Sequence, residues 1–216
     1  KTEMEQNGLA VPDIPESPGV NNAIKRILQC VNIRWTPLKP VPQTTGHQTQ
    51  GVFAQGIPVR GLPYSSTRIY EKFIGINVSL ETFMSAVRNP DSVLYTENLF
   101  NTCGNATAFY GTVCSALVGY ALDLPYRAQT ICWPQIPGME LVNSQCADHV
   151  KLGDTLLSRT HVAMITEITR TPDGKTYTIS VSEATHPQCI TTKYNASTFE
   201  EYWFSKMECA VYRYKL

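Results

Sequence analysis

The stretch Tyr110-Gly111-Thr112-Val113-Cys114-Ser115-Ala116-Leu117-Val118-Gly119-Tyr120 sets a cysteine where a glycine-containing loop turns into an apolar helix. Forty-seven residues later, His161 opens the run His161-Val162-Ala163-Met164-Ile165, which has the β-branched and apolar character of a strand. A thiol at a helix N-terminus faces the positive end of the helix dipole and backbone N–H groups outside the helical ladder. Both favour thiolate over thiol. An imidazole brought in from a strand elsewhere in the chain can serve as its base, and the two together are the minimum for nucleophilic cysteine catalysis. Taken singly, Cys114 is one of seven cysteines and His161 a histidine at a strand end; their local contexts set them apart.

The elements that must carry these groups can be read from the same chain. Around Cys114, the apolar stripe Val113, Leu117, Val118, Ala121 and Leu122 predicts a core helix that ends before Pro125, with the cysteine at its exposed start. From residue 150 the pattern becomes strand-like. Leu152-Gly153-Asp154 turns into Thr155-Leu156-Leu157-Ser158. The runs 161–168 and 177–185 are joined by Thr171-Pro172-Asp173-Gly174-Lys175, and Pro-Asp-Gly is hairpin chemistry because proline presets the turn and glycine takes the left-handed position. If Thr171 and Lys175 close a three-residue loop, paired residue numbers sum to 346 and His161 lies across from Thr185. Glu183 then shares the face of His161, one diagonal step away, where a carboxylate could hold the imidazole in its proton-accepting tautomer. Ser180 and Ser182 are alternatives if the strand bulges, and His186 falls on the other face by parity. Further strands are predicted at 181–184, 190–192 and 210–214, with a short helix over 197–204.

Toward the N-terminus, residues 1–20 are proline-rich and read as an extended arm. Asn21-Asn22 caps a helix through Val31 with Ala23, Ile24, Ile27, Leu28 and Val31 at helical spacing. Residues 35–63 are broken by prolines and glycines. A helix over 79–88, with Ser79 as its cap, buries Leu80, Phe83, Met84 and Val87 and stops at Asn89-Pro90.

Length and composition bound the function. At 216 residues with 43% hydrophobic content, the chain can bury a sizeable core. Lys+Arg and Asp+Glu both number 18, so no basic surface points to nucleic acid. No run approaches the roughly 20 apolar residues that span a bilayer. The chain opens at Lys1, as a mature or trimmed form would, and its Tyr, Thr, Ser and Asn content suits an extracytoplasmic protein. With an odd number of cysteines at least one lacks an intramolecular partner. In an exported protein Cys30, Cys103, Cys132, Cys146, Cys189 and Cys209 are the pairing candidates and Cys114 is the thiol left over. No CxxC or close Cys/His spacing marks a zinc site, so neither a metal nor a cofactor is expected.

In order, a helix-borne Cys114-Ser115, a Leu152-Gly153-Asp154 turn, His161-Val162-Ala163-Met164-Ile165 on a strand and Val181-Ser182-Glu183-Ala184 on its partner resemble the NlpC-type cysteine peptidases, papain-like hydrolases of the bacterial cell wall. That family's usual motifs read Asp-Cys-Ser-Gly and Gly-His-Val-Gly-Ile; Val113, Ala116 and Thr160 depart from them here. Gly61-Leu62-Pro63-Tyr64-Ser65-Ser66 is similar to the family's Pro-Tyr segment. It lies 50 residues before Cys114 rather than the usual dozen or so, which makes residues 67–110 an insertion. The resemblance spans about residues 60–216. It implies an α+β, papain-like fold in which the nucleophile helix packs on an antiparallel sheet, with residues 1–50 as an N-terminal arm and helix and residues 51–216 as the peptidase domain.

What the resemblance implies for function is hydrolysis of an amide bond in peptidoglycan stem peptides by a secreted or envelope-associated monomer. Cys114 is then the nucleophile, His161 the base and Glu183 its orienter, with Tyr64, Ser65 and Ser66 binding substrate. A transferase or thioesterase on the same scaffold would show a longer apolar channel, and none is evident in the sequence. That reading stays open beside two others: an amidase cutting between glycan and peptide, and a catalytically inactive cell-wall-binding module. His47 and His149 are expected at the surface, and Trp35, Trp133 and Trp203 as core or groove walls.

Overall fold

The computed structural model describes residues 10–42, 44–45, 48–49, 53–65, 68–69, 72–73, 80–96, 111–125 and 128–216. Its elements begin with β1 (Val11–Pro12), α1 (Pro18–Asn32), β2 (Arg34–Trp35), β3 (Thr44–Thr45), β4 (Gln48–Thr49) and β5 (Val59–Arg60). Then follow β6 (Arg68–Ile69), β7 (Lys72–Phe73), α2 (Leu80–Arg88), α3 (Val93–Thr96), α4 (Cys114–Ala121) and β8 (Met139–Val142). The C-terminal part holds β9 (Thr155–Leu157), β10 (Val162–Arg170), β11 (Thr176–Ala184), β12 (Cys189–Asn195), α5 (Ala196–Phe199) and β13 (Ala210–Tyr214). The protein is a mixed α+β chain with an antiparallel sheet and several helices.

Its contacts divide it into two compact units. One comprises Lys1–Lys25, Ala128–Ser182 and Thr191–Leu216; the other comprises Arg26–Arg127 and Glu183–Ile190.

The first unit is organised by the sheet, in the order β12-β11-β10-β9-β13-β8, with β1 also paired to β10. The Thr171–Lys175 turn closes as its residues require. Thr171 N–H donates to Lys175 C=O at 2.9 Å, and Gly174 sits at φ +83, a conformation that glycine adopts without penalty. From there the hairpin register changes twice. Arg170 faces Thr176, a sum of 346; Thr169 faces Thr178 and Glu167 faces Ser180, a sum of 347. Ile165 then faces Val181 and Met164 faces Ser182, which restores 346. Tyr177 and Thr166 are the two extra residues, one bulge on each strand, and each bulge cancels the other's offset. The predicted sum therefore holds beside the turn and again at Ile165 and Met164, the last pairs of the ladder, for a reason that the turn alone does not supply.

Polar groups tie this unit together. Arg170 donates through Nε to both carboxylate oxygens of Asp13 (3.0 and 3.1 Å), through Nη1 to Thr176 Oγ1 and Asp148 C=O, and through Nη2 to Val150 C=O. The arm that carries β1 is thus fixed to β10. Asp154 of the Leu-Gly-Asp turn, its side chain fully buried, accepts from Arg213 Nε at 2.7 Å, from Arg213 Nη2 at 2.8 Å and from Lys151 N–H at 2.8 Å. The bidentate carboxylate holds the Arg213 guanidinium above its ordinary pKa.

In the second unit an aromatic core forms where Trp35 meets Phe53 and Phe83 edge-to-face, with centroids 5.1 and 5.4 Å apart. Trp35 Nε1–H donates to Gly61 C=O at 2.9 Å, which satisfies the one polar atom that this ring buries. Helix α2 buries Phe83, Ala86 and Val87. Of its predicted face, Leu80 and Met84 are only partly covered, and its predicted cap, Ser79, lies outside the described residues.

Helix α1 starts earlier than Asn21-Asn22 predicts. Ser17 Oγ accepts from Val20 N–H at 3.1 Å, and Pro18 takes the first helical position, where its missing N–H costs nothing. Helix α4 is buried nearly all round rather than along one stripe: Cys114 through Gly119, and Ala121, are all buried. Among the described residues, no helix is long and apolar enough to cross a membrane.

Candidate functional site

Cys114 is the first residue of α4, and Val113 ahead of it is extended, with φ −106 and ψ 168. Leu117 N–H makes the first helical bond to Val113 C=O at 2.9 Å, so the amides of Cys114, Ser115 and Ala116 precede the intrahelical ladder. The residues leading into the helix are laced to the Tyr64 segment. Thr112 N–H donates to Pro63 C=O and Ser65 N–H donates to Thr112 C=O, each at 3.1 Å, and Tyr64 and Thr112 form a parallel bridge. This seam requires Gly111: a Cβ there would sit 2.6 Å from both Pro63 O and Ser65 Cβ. Two expected substrate-binding residues, Tyr64 and Ser65, are thereby brought beside the expected nucleophile, although Tyr64 and Cys114 lie 50 residues apart in sequence. Ser66, the third, lies outside the described residues. The thiol itself departs from expectation, because Cys114 is only 8% exposed.

A second chain segment joins the Tyr64 strand from the other direction. Tyr64 N–H donates to Pro187 C=O at 2.8 Å, and Cys189 N–H to Leu62 C=O at 2.8 Å. The rings of Tyr64 and His186 lie 4.0 Å apart at 46°. Burial depresses the His186 pKa below the usual imidazole value. Glu183, the penultimate residue of β11 and 7% exposed, belongs to the same unit as Cys114, Tyr64 and Ser65. Next to it Cys189 is pushed well above the usual thiol range, by burial first and then by Cys30 and Glu183. Burial also pushes Cys30 up to about 12. A raised pKa disfavours the nucleophilic thiolate at both positions.

His161 belongs to the other unit, just before β10. A four-residue turn joins β9 to β10 there. His161 N–H donates to Ser158 Oγ at 3.2 Å, and Ser158 N–H donates to His161 C=O at 2.9 Å, so the backbone that carries the imidazole is fixed at both polar groups. The ring lies parallel to that of Trp203, at 15° with centroids 6.3 Å apart. A hollow of 390 Å³ adjoins this turn, bordered by Ser158, Arg159 and Thr160.

The alternative orienters are committed elsewhere. Ser182 Oγ is hydrogen-bonded to Thr166 Oγ1 (3.0 Å) and Thr191 Oγ1 (2.7 Å), and Ser180 Oγ donates to Glu167 Oε2 at 2.7 Å. His149 sits at the surface on Ser144 Oγ, and His47 lies outside the described residues. Trp35, Trp133 and Trp203 are all core residues. Cys30, Cys114, Cys132, Cys146, Cys189 and Cys209 are thiols; Cys103 lies outside the described residues. Among the described residues, no group of three His, Cys, Asp or Glu side chains could hold a metal ion.

Comparison of the chain with protein-family models, with curated proteins and with solved structures finds no match. Sequence reasoning missed two features of the site, the ring contact of His186 with Tyr64 and the ring beneath His161. Both join residues far apart in the chain, 122 positions in one case and 42 in the other, and neither leaves a local pattern. A Trp within a short aromatic run, Tyr202-Trp203-Phe204, was the one available signal for the second.

Proposed function

We propose that this chain is a papain-like cysteine peptidase of the NlpC type that hydrolyses an amide bond in peptidoglycan stem peptides outside the cytoplasm. The Cys114 thiolate attacks the amide carbonyl, and the amides opening α4 stabilise the oxyanion that forms. His161, holding the thiol proton, transfers it to the leaving amine as the C–N bond breaks. Water, deprotonated by His161, then cleaves the thioester and returns the thiol. Glu183 orients the imidazole. Tyr64 and Ser65 bind the polar peptide beside the nucleophile.

The observation that carries this reading is the seam between Pro63–Ser65 and Gly111–Val113. It sets a Pro-Tyr segment directly against the start of a helix headed by Cys-Ser, although the two are 50 residues apart in sequence. Iodoacetamide labelling of the folded protein across pH 5–9, mapped by mass spectrometry, tests it. Selective alkylation of Cys114 with an apparent pKa well below about 8.5 is the expected result. Cys114→Ala should abolish hydrolysis of stem-peptide fragments and leave the melt nearly unchanged.

One observation favours a second reading, a cell-wall-binding module without turnover: Cys114 is buried. Protection of Cys114 until the protein unfolds, together with retained binding to peptidoglycan, would decide for that alternative.

A further inference from the structure

Trp203 is fully buried, within a π-helical turn, Glu200–Lys206, that continues α5. The wider turn is registered by Met207 N–H donating to Tyr202 C=O at 2.9 Å, an i to i+5 bond. Two tyrosines clamp the indole edge-to-face: Tyr202 at 5.2 Å and 87°, and Tyr194 at 6.4 Å and 78°. One indole face is turned to the His161 ring, nearly parallel and within the range of offset stacking. Its Nε1–H has no hydrogen-bond partner among the described residues.

We infer that Trp203 is the positioning residue for the His161 imidazole, a flat immobile wall that restricts the ring to one plane. The inference rests on the reading of His161 as the catalytic base. Ser158 fixes the His161 backbone, and a ring face acts on what the backbone does not fix, the side-chain torsions. The second of these is broad in imidazoles when nothing limits it. A parallel aromatic face limits it without taking a ring nitrogen.

The test compares wild type with W203F, W203L and H161Q in two measurements: the ring-proton resonances of His161 in histidine-labelled protein, assigned by their loss in H161Q, and the rate of Cys114 alkylation by iodoacetamide at neutral pH. W203L should move the His161 resonances toward random-coil positions and slow alkylation about three- to tenfold, the worth of one aromatic stack. W203F, which keeps a flat ring, should restore both. W203M, apolar and flexible, takes the place of W203L if that variant does not fold. His161 resonances unmoved in W203L, or W203F as impaired as W203L, would overturn the inference while leaving the thiol–imidazole reading intact. Alkylation as fast in H161Q as in wild type would overturn that reading, and this inference with it.

Discussion

Gly111→Ala should force the chain leading into Cys114 away from the Tyr64 strand. The added methyl would lie 2.6 Å from Pro63 O and from Ser65 Cβ, where ordinary contact begins near 3.4 Å, so the two segments must part by about 0.8 Å. The two hydrogen bonds of the seam, each 3.1 Å long, would then pass the distance at which such bonds hold. Losing both in a buried place costs about 2–4 kcal/mol. For a chain of this size that is a fall in melting temperature of roughly 5–15 °C. Gly56→Ala is the control. Gly56 also has positive φ, +76, but nothing lies within 4 Å of the place a methyl group would take there, so only the backbone term remains, about 1 kcal/mol. Thermal and urea melts of both variants, with Cys114 alkylation followed in parallel, measure the difference. Gly111→Ala should melt well below Gly56→Ala and expose Cys114 to faster, less selective alkylation. Melts of the two within about 2 °C of each other would refute the steric reasoning.

Three further outcomes are expected. Asp154→Asn leaves the Arg213 guanidinium without its bidentate partner beside a fully buried side chain, and should cost about 3 kcal/mol in urea melts; a loss under about 1 kcal/mol would make the pair a surface contact. Arg170→Met and Asp13→Ala, made singly and together, should show a coupling of about 1–2 kcal/mol, and strict additivity would mean that the arm is not held through this pair. His186 has its pKa lowered in the folded state, so below the ordinary imidazole value the unfolded chain binds a proton that the folded chain refuses. Stability should therefore fall as pH drops from 7 toward 5, and His186→Phe, which keeps a ring on Tyr64, should lose less over that range. Parallel acid losses in the two proteins would contradict this.

Features governed by neighbours in sequence were legible. The Pro-Asp-Gly turn, the strands it joins and the helix headed by Cys114 follow from torsional preference and periodicity. The start of α1 was equally local, yet Ser17-Pro18 outcompeted Asn21-Asn22 because serine as cap and proline in the first turn act together. Burial of α4 on all sides was not legible, since a stripe of large apolar residues says nothing of the small Ser115, Ala116 and Gly119 opposite it, which let neighbours close in. Nor was the Tyr64–Thr112 seam, which depends on a segment entered through Pro63 and another entered through Gly111 meeting after a long excursion. Edge strand β8 was missed because its residues alternate weakly and leave Leu141 exposed.

The two bulges of the β10–β11 hairpin bear on how this chain can change in length. A bulge residue faces no partner of its own, so losing Thr166 would straighten β10 and still leave Ile165 across from Val181 and Glu167 across from Ser180. The same holds for Tyr177 on the opposite strand. Deletions that would scramble every pair in a regular hairpin are absorbed at these two positions. Between the Thr171–Lys175 turn and the strand ends at Val162 and Ala184, the hairpin thus carries two points where descendants of this sequence can gain or shed a residue while both ends keep their partners.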